Sequence, residues 1–480
     1  MGPRLTRFAL GLVLGLGACS PAHLPSDNVA GLVDGTDVTA VVTEIEAGRF
    51  RIEYRFAEPQ TAMVFSRSGD DYRTESWLSL TDGVVLERLN GFDTLIFDER
   101  ATGAVFEFRA RPEIQYGEYS HFVAFSDGGL ALFTGQFELL PIHNRDAALA
   151  LNGDLSQWSG EQPTLGVRVE SDRPMVQRGA RVQGSAVEIS NGAGAFIYFG
   201  DGEIEEAESY VGIVDAALPI WIREEFPNTL AFLFARLETG WGFSLDQPAA
   251  LLFAYEGNEN AGFSNKGGVV DRQLIMQSSG QQLDQEDNYV RPYLMWFFAH
   301  EATHLFQFSQ GPELSDNRDS WIHEGAANAM ANRILYERSA ENHPYLNYTT
   351  ARAWTGCIAS LETGPLREAG TRGEFQAYYD CGEFIAVMTD AILTDYTLFE
   401  FWNEMLASAA TEGDSYGFDT YFATLTRLGA DTELISRLRA VVEDPFEDPQ
   451  VALLQLMIDV GLEPEFTGES NTVRAFQYPQ

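Results

Sequence analysis

Lysine is nearly missing from this chain: Lys266 is the only one among 480 residues. Positive charge as a whole is scarce, with 31 Lys and Arg against 71 Asp and Glu and a formal net charge of -40. Such a surface repels phosphate backbones and anionic lipid headgroups, which excludes nucleic acid and acidic bilayers as partners. The charge is spread along the whole chain, so solubility accounts for it; attraction of cationic substrates is the sharper reading. Long hydrophobic runs are also absent. The one apolar stretch, Phe8 to Ala18, is too short to span a bilayer, and no other segment has the length or apolarity to do so. There is no repeat of fixed period and no low-complexity tract.

What the amino terminus does contain is an export pattern. Arg4 and Arg7 precede the apolar stretch, which ends Leu16-Gly17-Ala18-Cys19. That ending resembles the lipobox of bacterial lipoproteins. The resemblance implies a signal peptide over 1–19, lipidation of Cys19, and a membrane contact through that anchor only. Ser20 follows rather than Asp, which favours an outer-membrane address facing the periplasm or the exterior; a plain secretory signal is the alternative. Residues 20–37, with Pro21, Pro25, Gly31 and Gly35, read as a tether. Of three cysteines, Cys357 and Cys381 then remain. In an exported protein an even pair suggests a disulfide, with two free buried thiols as the alternative.

A chain of this length exceeds one typical domain and has apolar content for two or three cores. From 38 to 203 the hydrophobic period is two, cleanest over Phe50-Arg51-Ile52-Glu53-Tyr54-Arg55-Phe56, with Gly, Asp and Asn between short strands. This predicts an antiparallel β-sandwich domain, with a break near Leu151-Asn152-Gly153-Asp154. The acidic run Asp201 to Glu208 marks a change to helical spacing, so 204–462 is expected to form an α+β, mainly helical domain. Its first helix is expected over Pro227 to Leu237, with strands at Ala249 to Tyr255 and Gln273 to Gln277 and an Asn- and Gly-rich loop between them. Helices are then expected over 289–308, from Ser320 as N-cap to Tyr336, and near 373–393, 396–410, 416–428 and 447–461. The remainder, 463–480, reads as a loop tail.

The helix over 289–308 is apolar nearly all round, and its polar cluster is His300-Glu301-Ala302-Thr303-His304. Two His four apart on a helix differ by roughly 40° in direction, so both rings can reach one metal. Glu301 projects to the side, where it can take a proton from water. A buried cluster of this kind needs a reason, and metal ligation supplies one. Glu324, in Trp321-Ile322-His323-Glu324-Gly325, follows His304 after 19 intervening residues and would be a third, carboxylate ligand. Three protein ligands and an open position describe catalytic Zn2+, one per chain.

These motifs resemble the gluzincins, the metallopeptidase clan of thermolysin and the aminopeptidase-N-like enzymes. The resemblance implies a β-rich domain leading into a zincin-like domain, and a hydrolase acting on peptide or protein substrates. It also implies an oxyanion-stabilising tyrosine in a Tyr-any-any-Gly pattern. Tyr379-Asp380-Cys381-Gly382 matches that pattern, with Tyr378 and His323 as lesser candidates, although His323 reads better as a first-turn surface residue. Asn328, one turn past Glu324, is expected to hydrogen-bond a ligand His. The edge of Gln273 to Gln277 is expected to pair with substrate backbone. One motif departs. The Gly-any-Met-Glu-Asn segment that holds a substrate's amine in aminopeptidases has only Gly257-Asn258-Glu259-Asn260 as a counterpart, which puts exopeptidase action in doubt. The alternative reading of the whole is a binding or assembly lipoprotein on a peptidase-like scaffold, without catalysis.

Overall fold

The structure is a computed structural model, and it describes residues 31–477 apart from 70, 114, 117, 118, 191, 192, 414 and 468–471. The expected signal peptide, Cys19 and most of the expected tether lie outside the described residues. Among the described residues, no helix is long and apolar enough to cross a membrane.

The alternation in Arg49 to Phe56 becomes the first strands. Phe50, Ile52, Tyr54 and Phe56 are buried on one face of Arg49–Phe65, while the charged residues between them are only partly covered. This strand pairs with Val38–Glu46 on one side and Phe92–Arg109 on the other, within one eleven-stranded sheet. The register shifts at Arg55/Gln60 and Gln60/Ala62, and such irregularities bend long strands. The sheet curls, and its inner face closes on an aromatic core in which Phe108 stacks on Phe50 at 5.4 Å and on Trp77 at 4.8 Å. Two details depart from the antiparallel expectation. Val38–Glu46 and Leu165–Gln177 pair in parallel, and that pairing carries the sheet across the expected break. Near the break itself lies a short helix, Arg145–Ala150, whose first turn is capped by Asn144.

A second sheet has five strands in the order Ile204–Glu206, Tyr210–Val214, Ala249–Tyr255, Gln273–Ser279, Ser264–Val270. The strand expected to be an edge, Gln273–Ser279, is therefore interior and wholly buried. The true edge is Ser264–Val270, expected to be loop, because Asn265, Lys266, Gly267 and Gly268 hide any alternation. Val123, Phe133 and Phe196 of the first sheet pack against Leu252 and Ile275 of the second. The Gln273 amide bridges the two sheets, accepting from Phe196 N at 2.6 Å and donating to Phe196 O at 2.9 Å.

Helices follow: Ile220–Trp241, Val290–Phe308, Trp321–Arg338, His343–Leu361, Gln376–Ile392, Leu398–Glu412, Phe418–Arg427, Thr432–Glu443 and Pro449–Asp459. The first begins seven residues before Pro227, which sits inside it. An interior proline costs about 3 kcal/mol, and burial of Phe226, Leu230, Leu233, Phe234 and Leu237 around it offsets that. Ser320 does not cap its helix through its side chain; its hydroxyl donates to Asn317 O instead. The tail is not a loop. Glu463–Thr467 and Thr472–Gln477 form a hairpin that packs on His343–Leu361 and Pro449–Asp459, with Val473 fully buried. Phe466, Val473 and Phe476 are scattered among polar residues and Pro464, so no sustained alternation marks the pairing in the sequence. A disulfide joins Cys357 to Cys381 and ties His343–Leu361 to Gln376–Ile392, with 4.8 Å between the Cα atoms.

Candidate active site

Three helices build the site. Val290–Phe308 crosses the core beneath the second sheet and holds His300, Glu301 and His304 at 5%, 7% and 6% exposure. Trp321–Arg338 presents Glu324 from its first turn, and Gln376–Ile392 presents Tyr378 and Tyr379. The last two helices touch through glycine. A methyl group on Gly325 would lie 2.0 Å from the carbonyl carbon of Gly382, so both helices need glycine at the crossing. The glycines that close the two sequence motifs are one contact.

The expected ligands converge. His304 Nε2 lies 3.1 Å from His300 Nε2 and 3.2 Å from Glu324 Oε2, and His300 Nε2 lies 3.3 Å from the same oxygen. These three residues form a group of potential ligand atoms within 4.8 Å of one another. His304 Nδ1 is 2.7 Å from Gln307 Oε1, and an amide oxygen only accepts, so Nδ1 carries the hydrogen and Nε2 faces the other donors. Gln307 in turn donates to His323 O at 3.2 Å. Among the described residues His300 Nδ1 has no hydrogen-bond partner; its ring lies near Trp296 at 5.5 Å and Tyr379 at 6.0 Å.

The electrostatics ask for a cation. Burial opposes a charge on His304, yet the carboxylate of Glu324 and its hydrogen bond outweigh burial and raise the imidazole to about 9. Burial likewise opposes the Glu324 carboxylate, but His304, His300 and His323 hold it well below the usual range. Among the described residues, the only cationic partners of Glu324 are imidazoles. A buried set of two imidazoles and a carboxylate fits Zn2+ chemically. Glu301 is different: burial raises its carboxyl, His300 and His304 pull it back, and Glu324 raises it further. The result is a carboxylate more basic than usual, beside the ligand set.

The donors open on a cavity of about 820 Å³. Its walls include Gly267, Gly268 and Val269 of the edge strand, Phe308, Leu314, Tyr416, and both Tyr378 and Tyr379. The Tyr378 hydroxyl is engaged, accepting from Gly370 N at 3.0 Å, whereas Tyr379 is half-buried with its ring against His300. Two expectations change. His323 is no surface residue: it lines the cavity, 3.4 Å from Glu324 Oε1. Asn328 does not bond a ligand His; its amide donates to Tyr379 O at 3.4 Å. The residue that orients His304 is Gln307, three positions along the same helix face, a spacing that could have revealed it. Glu259 is exposed and takes no part in the cavity wall.

No protein-family model matches the chain, and no curated protein sequence does. Among solved structures, an aminopeptidase N family protein from Idiomarina loihiensis is similar, with a TM-score of 0.62 at 12% identity over 91% of this chain and 80% of that one. The likeness is one of fold. A yeast LTA4 hydrolase follows with a TM-score of 0.49 at 13% identity, over 90% of this chain and 71% of that one. An M1 zinc metallopeptidase from Deinococcus radiodurans gives 0.45 at 14% identity, over 85% and 93%. The Idiomarina structure gives the β-rich first domain and the mainly helical second one a precedent in fold over 91% of this chain.

Proposed function

We propose that the protein is a zinc-dependent peptidase. The observation that carries this reading is the meeting of His300, His304 and Glu324 beside Glu301, a base of raised affinity, at the floor of an open cavity. The two Nε2 atoms and the Glu324 carboxylate are the groups that would hold the ion. Zinc bound there supplies a polarised carbonyl and an acidified water. Glu301 takes the proton of the attacking water and passes it to the departing amine. The Tyr379 hydroxyl, beside His300, donates to the oxygen that gains charge. Ser264–Val270, whose Gly267 and Gly268 face the cavity, receives the substrate backbone along its edge.

The place of action is the cell envelope, with the chain anchored through lipid on Cys19 and the catalytic unit spanning about 204–462. Arg4, Arg7 and the stretch ending at Cys19 support the export, and the Cys357–Cys381 disulfide fits an oxidising compartment. Incubating a diverse peptide mixture with the protein and with its Glu301→Gln variant, with products read by mass spectrometry, tests the activity. Cuts made by the parent alone are expected. Zinc bound in both and cuts by neither would leave a binding scaffold.

A further inference from the structure

Charge is sparse in the cavity wall away from the candidate ligands. Among the described residues of its wall, the only carboxylates are Glu301 and Glu324. Glu324 is engaged by three imidazoles, and Glu301 is buried beside them as the base. The only guanidinium is that of Arg318, and it is already held by Asp316, with Nε at 2.9 Å from one carboxylate oxygen and 3.1 Å from the other. Glu259, the acid that the sequence offered for a substrate's amine, stands exposed and away from the wall.

The rest of the wall suits something else. Gly267 and Gly268 put a side-chain-free stretch of edge strand against the cavity, where another backbone can lie close. Beyond His304 the wall is formed by Phe308, Leu314 and Tyr416. Tyr416 is 1% exposed, and its hydroxyl has no hydrogen-bond partner among the described residues. A free ammonium drawn into this space would lose hydration with no free carboxylate to pair with, and a free carboxylate would meet only Arg318, which Asp316 already holds; an unpaired buried charge is among the costliest groups a site can hold.

We infer that the cleft takes the interior of an extended polypeptide, with both chain ends outside it and an uncharged side chain against Phe308, Leu314 and Tyr416. The protein is then an endopeptidase. This rests on the peptidase reading above and goes beyond it in stating which bonds are cut.

The test uses the zinc-loaded full chain and one set of peptides in four forms: both ends free, amino end acetylated, carboxyl end amidated, and both blocked. The expected result is a kcat/KM that changes by less than about 3-fold across the four forms, because no ion pair to either end is lost. Cuts should fall several bonds from either end. Loss of about 30-fold or more on acetylation alone would overturn the inference in favour of an aminopeptidase, and the same loss on amidation alone in favour of a carboxypeptidase. No cleavage of any form would instead remove the peptidase reading itself, and the inference with it.

Discussion

Gly325 and Gly382 meet backbone to backbone. A methyl group on Gly382 would lie 2.5 Å from Trp321 O and 2.9 Å from Gly325 Cα, so the helices carrying Glu324 and Tyr379 are set by the smallest residue at the crossing. Gly382→Ala must push them apart, and overpacking of this kind costs about 1–3 kcal/mol, more than the helix propensity gained. The variant is expected to melt lower, bind zinc, and lose kcat as Tyr379 moves away from Glu324. Thermal melting and metal content on one preparation check this.

Gln307 fixes the face that His304 presents. Removing its amide by Gln307→Leu frees the imidazole to rotate and leaves Nδ1 without its acceptor. Loss of such an orienting partner lowers metal affinity about 10–100-fold. Competition with a chromophoric chelator should show that shift, and Asn328→Leu should show a much smaller one, since Asn328 touches Tyr379 O and no ligand.

The two adjacent tyrosines separate catalysis from stability. Tyr379→Phe should lower kcat by about 10²–10³ with little change in KM, as expected for a donor used only in the transition state. Tyr378→Phe should act chiefly on stability, because the Gly370 N–H loses its acceptor, at about 1–3 kcal/mol. Steady-state kinetics beside denaturant melts would show one effect without the other in each variant.

A buried acid makes stability depend on pH. Burial, reinforced by Asp380, raises Glu383 from 4.5 to about 8, although Asn332 Nδ2 donates to it at 2.7 Å. Below about 4.5 both folded and unfolded chains hold that proton, and no penalty applies. Between there and about 8 the unfolded chain has released it and the folded chain has not, so stability falls as pH rises. Glu383→Gln keeps an oxygen for Asn332 and removes the titration. It should be no more stable than the parent at acid pH, and more stable by about 2–4 kcal/mol at pH 8, measured by denaturant unfolding.

Fold and site are legible in the sequence where periodicity is strong or a motif carries chemistry. Phe50 to Phe56 spell out a strand, Ala249–Tyr255 is legible to the residue, helical spacing sets His300 and His304 on one face, and the Trp321-to-Gly325 motif on the next helix points to Glu324. Elsewhere the local pattern is silent. Gly267 and Gly268 obscured the edge strand, and an uninterrupted buried run made the interior strand Gln273–Ser279 look like the available one. The parallel pairing of Val38 with Leu165 joins residues far apart in the chain and has no local mark. His323 was set aside by helical angle, but its helix ends against the cavity, so even a side position reaches Glu324. Tyr416 escaped notice because it arrives from a two-residue strand paired with Glu313–Leu314, far in sequence from either motif.

The most direct test of the account is zinc titration into the chelator-stripped protein while peptide hydrolysis is followed, run in parallel on Glu301→Gln. The expected result is activity that rises in step with zinc and saturates at one ion per chain in the parent. Glu301→Gln should bind the same single ion and turn over at least about 10²-fold more slowly. Hydrolysis that survives stripping, or a Glu301→Gln protein as active as the parent, would contradict the assignment of metal and base.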